Sequence, residues 1–286
     1  MAHHFLEGEI PNDKPEDAVV HIIPVPLEST VSYGAGTAAG PDAIIEASMQ
    51  LELWDGSAKP VLGGIHTADP IDCSKPIAKV LDAIEDSVCY AVECEALPFV
   101  LGGEHTVTLG ALRGLKQKVG RFGVVQFDAH ADLRNIYEGS PFSHACVMRR
   151  AMDDLKLPVF QIGVRALCEE ETEYRKVNEV PHLDARELHL KGIPKKILPA
   201  DFPERIYITF DVDGLDPAVV RATGTPVPGG LGWQDVLTIL ERVVAGRKVI
   251  GADVVELAPN EGDHASDFAA AQLAYILMGH SLPSEQ

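Results

Sequence analysis

FGVVQFDAHADLR, residues 122–134, begins as an apolar run suited to a buried strand and ends in Asp128, His130 and Asp132, acid and imidazole groups spaced two apart. A continuous run of this kind, rich in Val and Phe, is the pattern of a strand covered on both faces, as in a parallel sheet between helices. The pattern recurs outward in both directions. Strands are expected at AVVHIIPVP (18–26), PFVLGG (98–103), VFQIGV (159–164), RIYITFDVD (205–213) and VIGADVVEL (249–257). Between them lie stretches with helical spacing of apolar residues: 40–54 with Pro41 in its first turn, 74–96 behind a Ser74 cap, 106–119, 144–155, 169–179, 233–245 and 267–279. The alternation predicts an α/β fold with a central, mostly parallel sheet, and the lack of repeats or linkers predicts one domain over residues 1–286.

Composition removes several function classes. No segment reaches the roughly 20 apolar residues needed to cross a bilayer, so no membrane partner is expected. The N-terminal MAHHFLEGEIPNDK has neither a basic leader nor an apolar run, which sets a cytoplasmic location as the expectation. With 24 basic and 43 acidic residues the net charge is −19, which repels nucleic acid and favours cationic partners. The five cysteines are scattered and form no C-x-x-C pair, so neither a disulfide framework nor a thiolate zinc site is expected.

Parallel α/β sheets place ligands beyond the carboxyl ends of their strands. The unusual polar residues fall there: Glu104-His105 after 98–103, Asp128, His130 and Asp132 after 122–127, Asp211 and Asp213 at 205–213, and Glu256 after 249–255. In an extended chain, residues two apart share a face, which predicts that Asp128, His130 and Asp132 point together, as do Asp211 and Asp213. Gathered carboxylates raise one another's pKa unless cations sit among them. Four aspartates and two divalent ions balance in charge, and oxygen-rich ligation with imidazole and no thiolate suits manganese better than structural zinc. The loop 213–232, carrying Thr223, Thr225 and several prolines, is expected to form a rigid pocket wall.

These residues resemble the ureohydrolases, the family of arginases and agmatinases. GGEHT (102–106), DAHADLR (128–134) and FDVDGLDPAVVRATGTPVPGG (210–230) are similar to its three signatures, and 28–55 and 251–263 resemble further segments. The resemblance implies a three-layer α/β/α sandwich with two Mn²⁺ per chain. One would be held by His105, Asp128, Asp132 and Asp211, the other by His130, Asp128, Asp211 and Asp213. It implies a homo-oligomer, trimer or hexamer, and hydrolysis of a small cationic guanidinium substrate to urea and an amine by a metal-bridging hydroxide. In that reading Glu256 clamps the planar guanidinium, Asp132 takes a proton, His144 binds substrate and moves a proton to the leaving amine, and Thr225 contacts substrate.

Arginases follow the aspartate-rich element with an Asn, where this chain has Arg134. That departure, and the likeness of 132–150 to agmatinases, implies agmatine as substrate, with putrescine and urea as products of a step in polyamine biosynthesis. The alternatives are 4-guanidinobutyrate, whose carboxylate would meet Arg134, and arginine, while Arg134 pairing with Glu138 is the purely structural reading. A two-metal phosphoesterase would need a later Asn-His ligand pair, which the sequence lacks. A non-catalytic scaffold would be expected to have lost ligands, and none of the six is lost.

Overall fold

The computed structural model describes residues 3–54 and 59–282. Asp55, at the end of the 28–55 stretch, and both ends of the 1–286 range lie outside the described residues. Eight strands form one sheet: β1 (Val20–Val25), β2 (Ile65–Thr67), β3 (Leu97–Gly102), β4 (Gly123–Phe127), β5 (Val159–Ile162), β6 (His182–Leu183), β7 (Arg205–Asp211) and β8 (Lys248–Val255). Their order is β2-β1-β3-β8-β7-β4-β5-β6, with every neighbouring pair parallel. The helices are α1 (Gly40–Ser48), α2 (Ile77–Glu93), α3 (Val107–Val119), α4 (Val147–Asp153), α5 (Glu169–Val177), α6 (Ala185–Lys191), α7 (Trp233–Val244) and α8 (His264–Ser281).

Period-two alternation divides each central strand between two cores. Ile22, Phe127, Phe210 and Val254 pack with Ile44 of α1, Ile239 of α7 and Leu273 of α8. Ile23, Val124, Tyr207 and Val255 pack with Ile84 of α2, Leu112 of α3 and Met148 of α4. Helices therefore cover both faces, as the continuous apolar strands predict. No helix among the described residues is long and apolar enough to cross a membrane.

Several boundaries differ from expectation. α1 stops at Ser48, six residues early, where the Ser48 hydroxyl bonds back to the Ile45 carbonyl and accepts the Leu6 N–H instead of leaving the helix free to continue. Ser74 does not cap α2. It closes a turn on Asp72, and Pro76 occupies the N-cap position with no side-chain cap. The short edge strands β2 and β6 and the helix α6 go beyond the sequence expectation: two or three residues carry no legible strand period, and the seven of α6 make barely two turns.

Four neighbouring strands, β3, β8, β7 and β4, end at the same edge, and each delivers polar residues there. Close backbone approach at Gly103 holds the ends of β1, β3 and β8 together. Its N–H donates to the Val25 carbonyl, its carbonyl accepts from Glu256 N–H, and a Cβ built on it would lie 2.1 Å from the Leu27 carbonyl oxygen. Gly103→Ala is expected to destabilise the protein by roughly 1–3 kcal/mol by overpacking. A lowered midpoint in urea unfolding would register this, and an unchanged midpoint would show that the strand ends separate freely.

Candidate metal centre and active site

The alternating acids cluster as expected, but not through extended geometry. β4 ends at Phe127, and Asp132 adopts a left-handed backbone with φ 53°. Asp213 lies in a 3-10 turn, Val212–Gly214, and its N–H donates to Asp211 Oδ1 at 2.9 Å. Glu256 follows the end of β8 with φ 66°. The strand edge supplies the position, and turns immediately beyond it aim the side chains.

His105 stands beside the first turn of α3 with Nδ1 2.9 Å from Asp132, 3.2 Å from Asp128 and 3.6 Å from Asp211. His130 Nδ1 is 3.0 Å from Asp213 Oδ2 and 3.6 Å from Asp128 Oδ1. His105, Asp128 and Asp132 form one group of potential ligands and Asp128, His130 and Asp213 a second, the donor atoms of each lying within 4.8 Å of one another. Asp128 is common to both. Asp211 stands outside these two tight groups, with Oδ2 directed to the His105 side and Oδ1 engaged by Asp213 N–H.

The cluster calls for positive charge. Burial lifts the Asp132 carboxyl to about 7, with Asp128 adding to the effect, and burial together with Asp213 holds Asp211 well above the carboxylate range. Burial works against a charged His130, yet Asp128 and Asp213 override it and push the imidazole to about 11. Burial likewise opposes charge on His105, and Asp128 and Asp132 again reverse it. Groups this crowded either collect protons or share cations.

The hydrogen bonds behind His105 suit ligation. The Asp253 carboxylate, fully buried in β8, accepts from the hydroxyls of Thr209 (2.7 Å), Tyr207 (2.7 Å) and Thr108 (2.8 Å) and from Phe210 N–H (3.2 Å). With its proton committed to Asp253, the Thr209 oxygen accepts from His105 Nε2–H at 2.8 Å. In the neutral imidazole Nδ1 is then the lone-pair nitrogen, facing Asp132 at 2.9 Å and Asp128 at 3.2 Å with no donor beside it. A bare imidazole nitrogen facing three carboxylates fits a metal ligand whose other nitrogen is anchored from behind. Thr209→Val is expected to weaken divalent-cation affinity about 10- to 100-fold, with Thr209→Ser near the parent value; titration of metal into stripped protein tests this, and equal constants for all three would refute the anchoring.

Glu256 is nearly buried, and burial pushes its carboxyl up to about 8. Its Oε1 accepts His105 N–H at 2.7 Å, and the side chain lines an inner pocket with Asp132, Asp211, Asp213, His144 and Thr225. Thr225 donates to Asp213 Oδ2 at 3.3 Å. The pocket opens into a cavity of about 290 Å³ bordered by Ser32, Arg134, Tyr137, Leu167 and Cys168. All nine residues singled out from the sequence, the six acids and imidazoles plus His144, Thr225 and Glu256, thus meet at one place. Arg134 forms no ion pair with Glu138 among the described residues; its guanidinium lies over the Tyr137 ring, 4.9 Å from the centroid.

Residues that sequence reading passed over hold the centre together. Besides Thr209 and Asp253, Gln126 donates to Asp128 Oδ2 at 2.7 Å and receives Gln161 Nε2, whose oxygen accepts from Arg175. Arg165 donates to the carbonyls of Asp213, Gly214, Leu215 and Val227, tying down the 213–232 loop. A signal existed for Asp253 and Gln126: each is a polar residue inside a strand that is otherwise apolar, where burial demands partners.

The profile of the arginase family matches residues 18–279. An N(1)-aminopropylagmatine ureohydrolase of Synechocystis is 39% identical, over 96% of this chain and 93% of the relative. An agmatinase of Pyrococcus horikoshii is 33% identical over 98% of both chains. Among solved structures, the agmatine ureohydrolase of Thermoplasma volcanium superposes with a TM-score of 0.85 at 32% identity, covering 94% of this chain and 92% of that one.

Proposed function

Because this chain belongs to the arginase family, we propose that it is a two-metal ureohydrolase that cleaves agmatine to putrescine and urea. The observation that carries this reading is the His105–Asp128–Asp132 and Asp128–His130–Asp213 pair of ligand groups beside a buried, unsaturated Glu256. His105, Asp128, Asp132 and Asp211 would hold one cation and His130, Asp128, Asp211 and Asp213 the other, with manganese favoured by the oxygen-rich donor set. Bound there, two divalent cations neutralise the carboxylates and lower the pKa of water so that a nucleophile forms near neutral pH.

The chain's own residues do the rest. Glu256 retains accepting capacity beyond its bond to His105 N–H, and receives guanidinium N–H groups so that the planar carbon is held in one orientation. Asp132, beside His105 at the pocket floor, holds the proton released as water adds. His144 faces the same space and carries a proton to the leaving amine nitrogen, which departs poorly unless protonated. Thr225 borders the substrate from the loop that Arg165 fixes. The net charge of −19 supports a cationic substrate. A cytoplasmic enzyme acting as a homo-oligomer, trimer or hexamer, in polyamine biosynthesis completes the reading.

A second substrate, agmatine carrying an N1-aminopropyl tail, is favoured by the relative of that name and by the cavity of about 290 Å³ beyond the inner pocket. Urea release from Mn²⁺-loaded protein should be measured with agmatine, N1-aminopropylagmatine, 4-guanidinobutyrate and arginine. Turnover of the two amine-tailed guanidines above the two carboxylates is expected. Preference for a carboxylate substrate would overturn the amine-tail reading, and no urea from any of them would overturn ureohydrolase function.

A further inference from the structure

His144 is not alone in the pocket wall. Its Nδ1 lies 3.1 Å from Thr30 Oγ1, its backbone N–H donates to the same oxygen at 3.1 Å, and Thr30 Oγ1 is 2.9 Å from Glu104 Oε1. Glu104 itself is fully buried. Its Oε2 accepts the backbone N–H groups of Ser29 at 2.5 Å and Thr30 at 2.6 Å, and the Ser29 hydroxyl approaches Oε1 at 3.4 Å. Every neighbour of this carboxylate is a donor.

That arrangement favours one placement of protons. A carboxylate surrounded by donors has only lone pairs to offer, so the Thr30 hydroxyl proton points to Glu104. The Thr30 oxygen then has two lone pairs, one filled by His144 N–H and the other by an N–H at Nδ1. Ser143 Oγ, 3.4 Å from Nδ1, is a longer contact that can accept from the same N–H. The alternative, Thr30 donating to a bare Nδ1, sets Thr30 and Glu104 oxygens 2.9 Å apart with no proton between them. The Tyr137 ring meets the imidazole edge-on, 5.7 Å between centroids at 83°, and limits its rotation. Nε2, which makes no hydrogen bond among the described residues, remains with its lone pair toward the pocket.

We propose that Glu104, acting through Thr30, is a positioning residue that holds His144 as the Nδ1–H tautomer, with Nε2 presented to the substrate as a proton acceptor. The proposal rests on the ureohydrolase reading for its chemistry and not for its geometry. In the reaction Nε2 receives the proton that Asp132 took up as water added to the guanidinium carbon, forming an imidazolium whose Nδ1–H stays on Thr30. The same proton then leaves for the alkylamine nitrogen as the C–N bond breaks, so His144 returns to its starting state. The Glu104–Thr30 pair links this step to the loop 28–34, which carries Ser32 and Tyr33 over the inner pocket.

The test has two readouts. The first is the tautomer of His144, read from two-bond 1H–15N correlations of ¹⁵N-histidine-labelled protein loaded with diamagnetic Zn²⁺ and assigned by His144→Gln. The parent is expected to show Nδ1–H, Thr30→Val a shift towards Nε2–H, and Thr30→Ser a return to the parent pattern. The second is urea release: Thr30→Val should lower kcat by about 10- to 100-fold, while KM, metal content and melting temperature move little and Thr30→Ser stays within about threefold of the parent. An Nε2–H tautomer in the parent, or a Thr30→Val protein unchanged in both tautomer and kcat, would overturn the proposal. If the parent releases no urea from any guanidine, the function fails while the spectrum still decides the tautomer.

Discussion

Replacing Asp128 with asparagine is expected to lower bound metal to one equivalent or less and to reduce kcat/KM by at least about a thousandfold. Asp128 is the residue common to both ligand groups, with Oδ2 3.2 Å from His105 and Oδ1 3.6 Å from His130. The side chain is fully buried, accepts His130 N–H at 2.6 Å and receives Gln126 at 2.7 Å, so its orientation is fixed from behind. Asparagine keeps the volume but puts an NH₂ group where an acceptor is required, and removes one negative charge from a site that needs several. Metal content by elemental analysis, with kcat/KM on the same preparation, checks the expectation. A variant that keeps two tightly held metals would show that Asp128 does not bridge.

Glu256→Gln is expected to behave differently: metal content near that of the parent, and kcat/KM lower by roughly 100- to 1000-fold. A glutamine oxygen can still accept His105 N–H, so the backbone beside the metal centre keeps its partner. What is lost is the negative charge facing the guanidinium and the ability of both carboxyl oxygens to accept N–H groups. Burial already raises this carboxyl to about 8, so its charge is costly to hold in the absence of cationic neighbours, and a cationic substrate relieves that cost. Equal metal loss in Glu256→Gln and Asp128→Asn would assign Glu256 to the metal centre and not to the substrate.

Much of this site was legible in the chain itself. The largely apolar runs that open 98–103, 122–134 and 205–213 read as buried strands because a strand covered on both faces has no polar side to display. Asp128, His130, Asp132, Asp211, Asp213, His105 and Glu256 stood out because each interrupts or ends such a run, and the rule that ligands gather at the carboxyl edge needed no coordinates. The inferred reason for their alignment was different from the one observed. Extended geometry ends at Phe127, and a left-handed turn at Asp132 and a 3-10 turn at Asp213 complete the cluster. Hydrophobic periodicity reports which face of a strand is buried, and has nothing to say about a turn that follows it.

The residues that hold the site in place were beyond the sequence for a related reason. Thr209 and Asp253 are 44 positions apart, and Glu104 and Thr30 are 74 apart. Each pair meets only because parallel strands and the loops beyond them are set side by side. The sequence by itself determined the layered α/β fold, the edge at which polar residues would gather, and the acids and imidazoles that gather there, since these follow from local burial pattern and side-chain type. The tertiary structure alone decided which nitrogen of His105 faces the carboxylates, which nitrogen of His144 lies against Thr30, and that Arg134 stacks on Tyr137 instead of pairing with Glu138. Proton placement and hydrogen-bond direction depend on distances of a few ångströms between groups far apart in the chain, and only the folded backbone sets those distances.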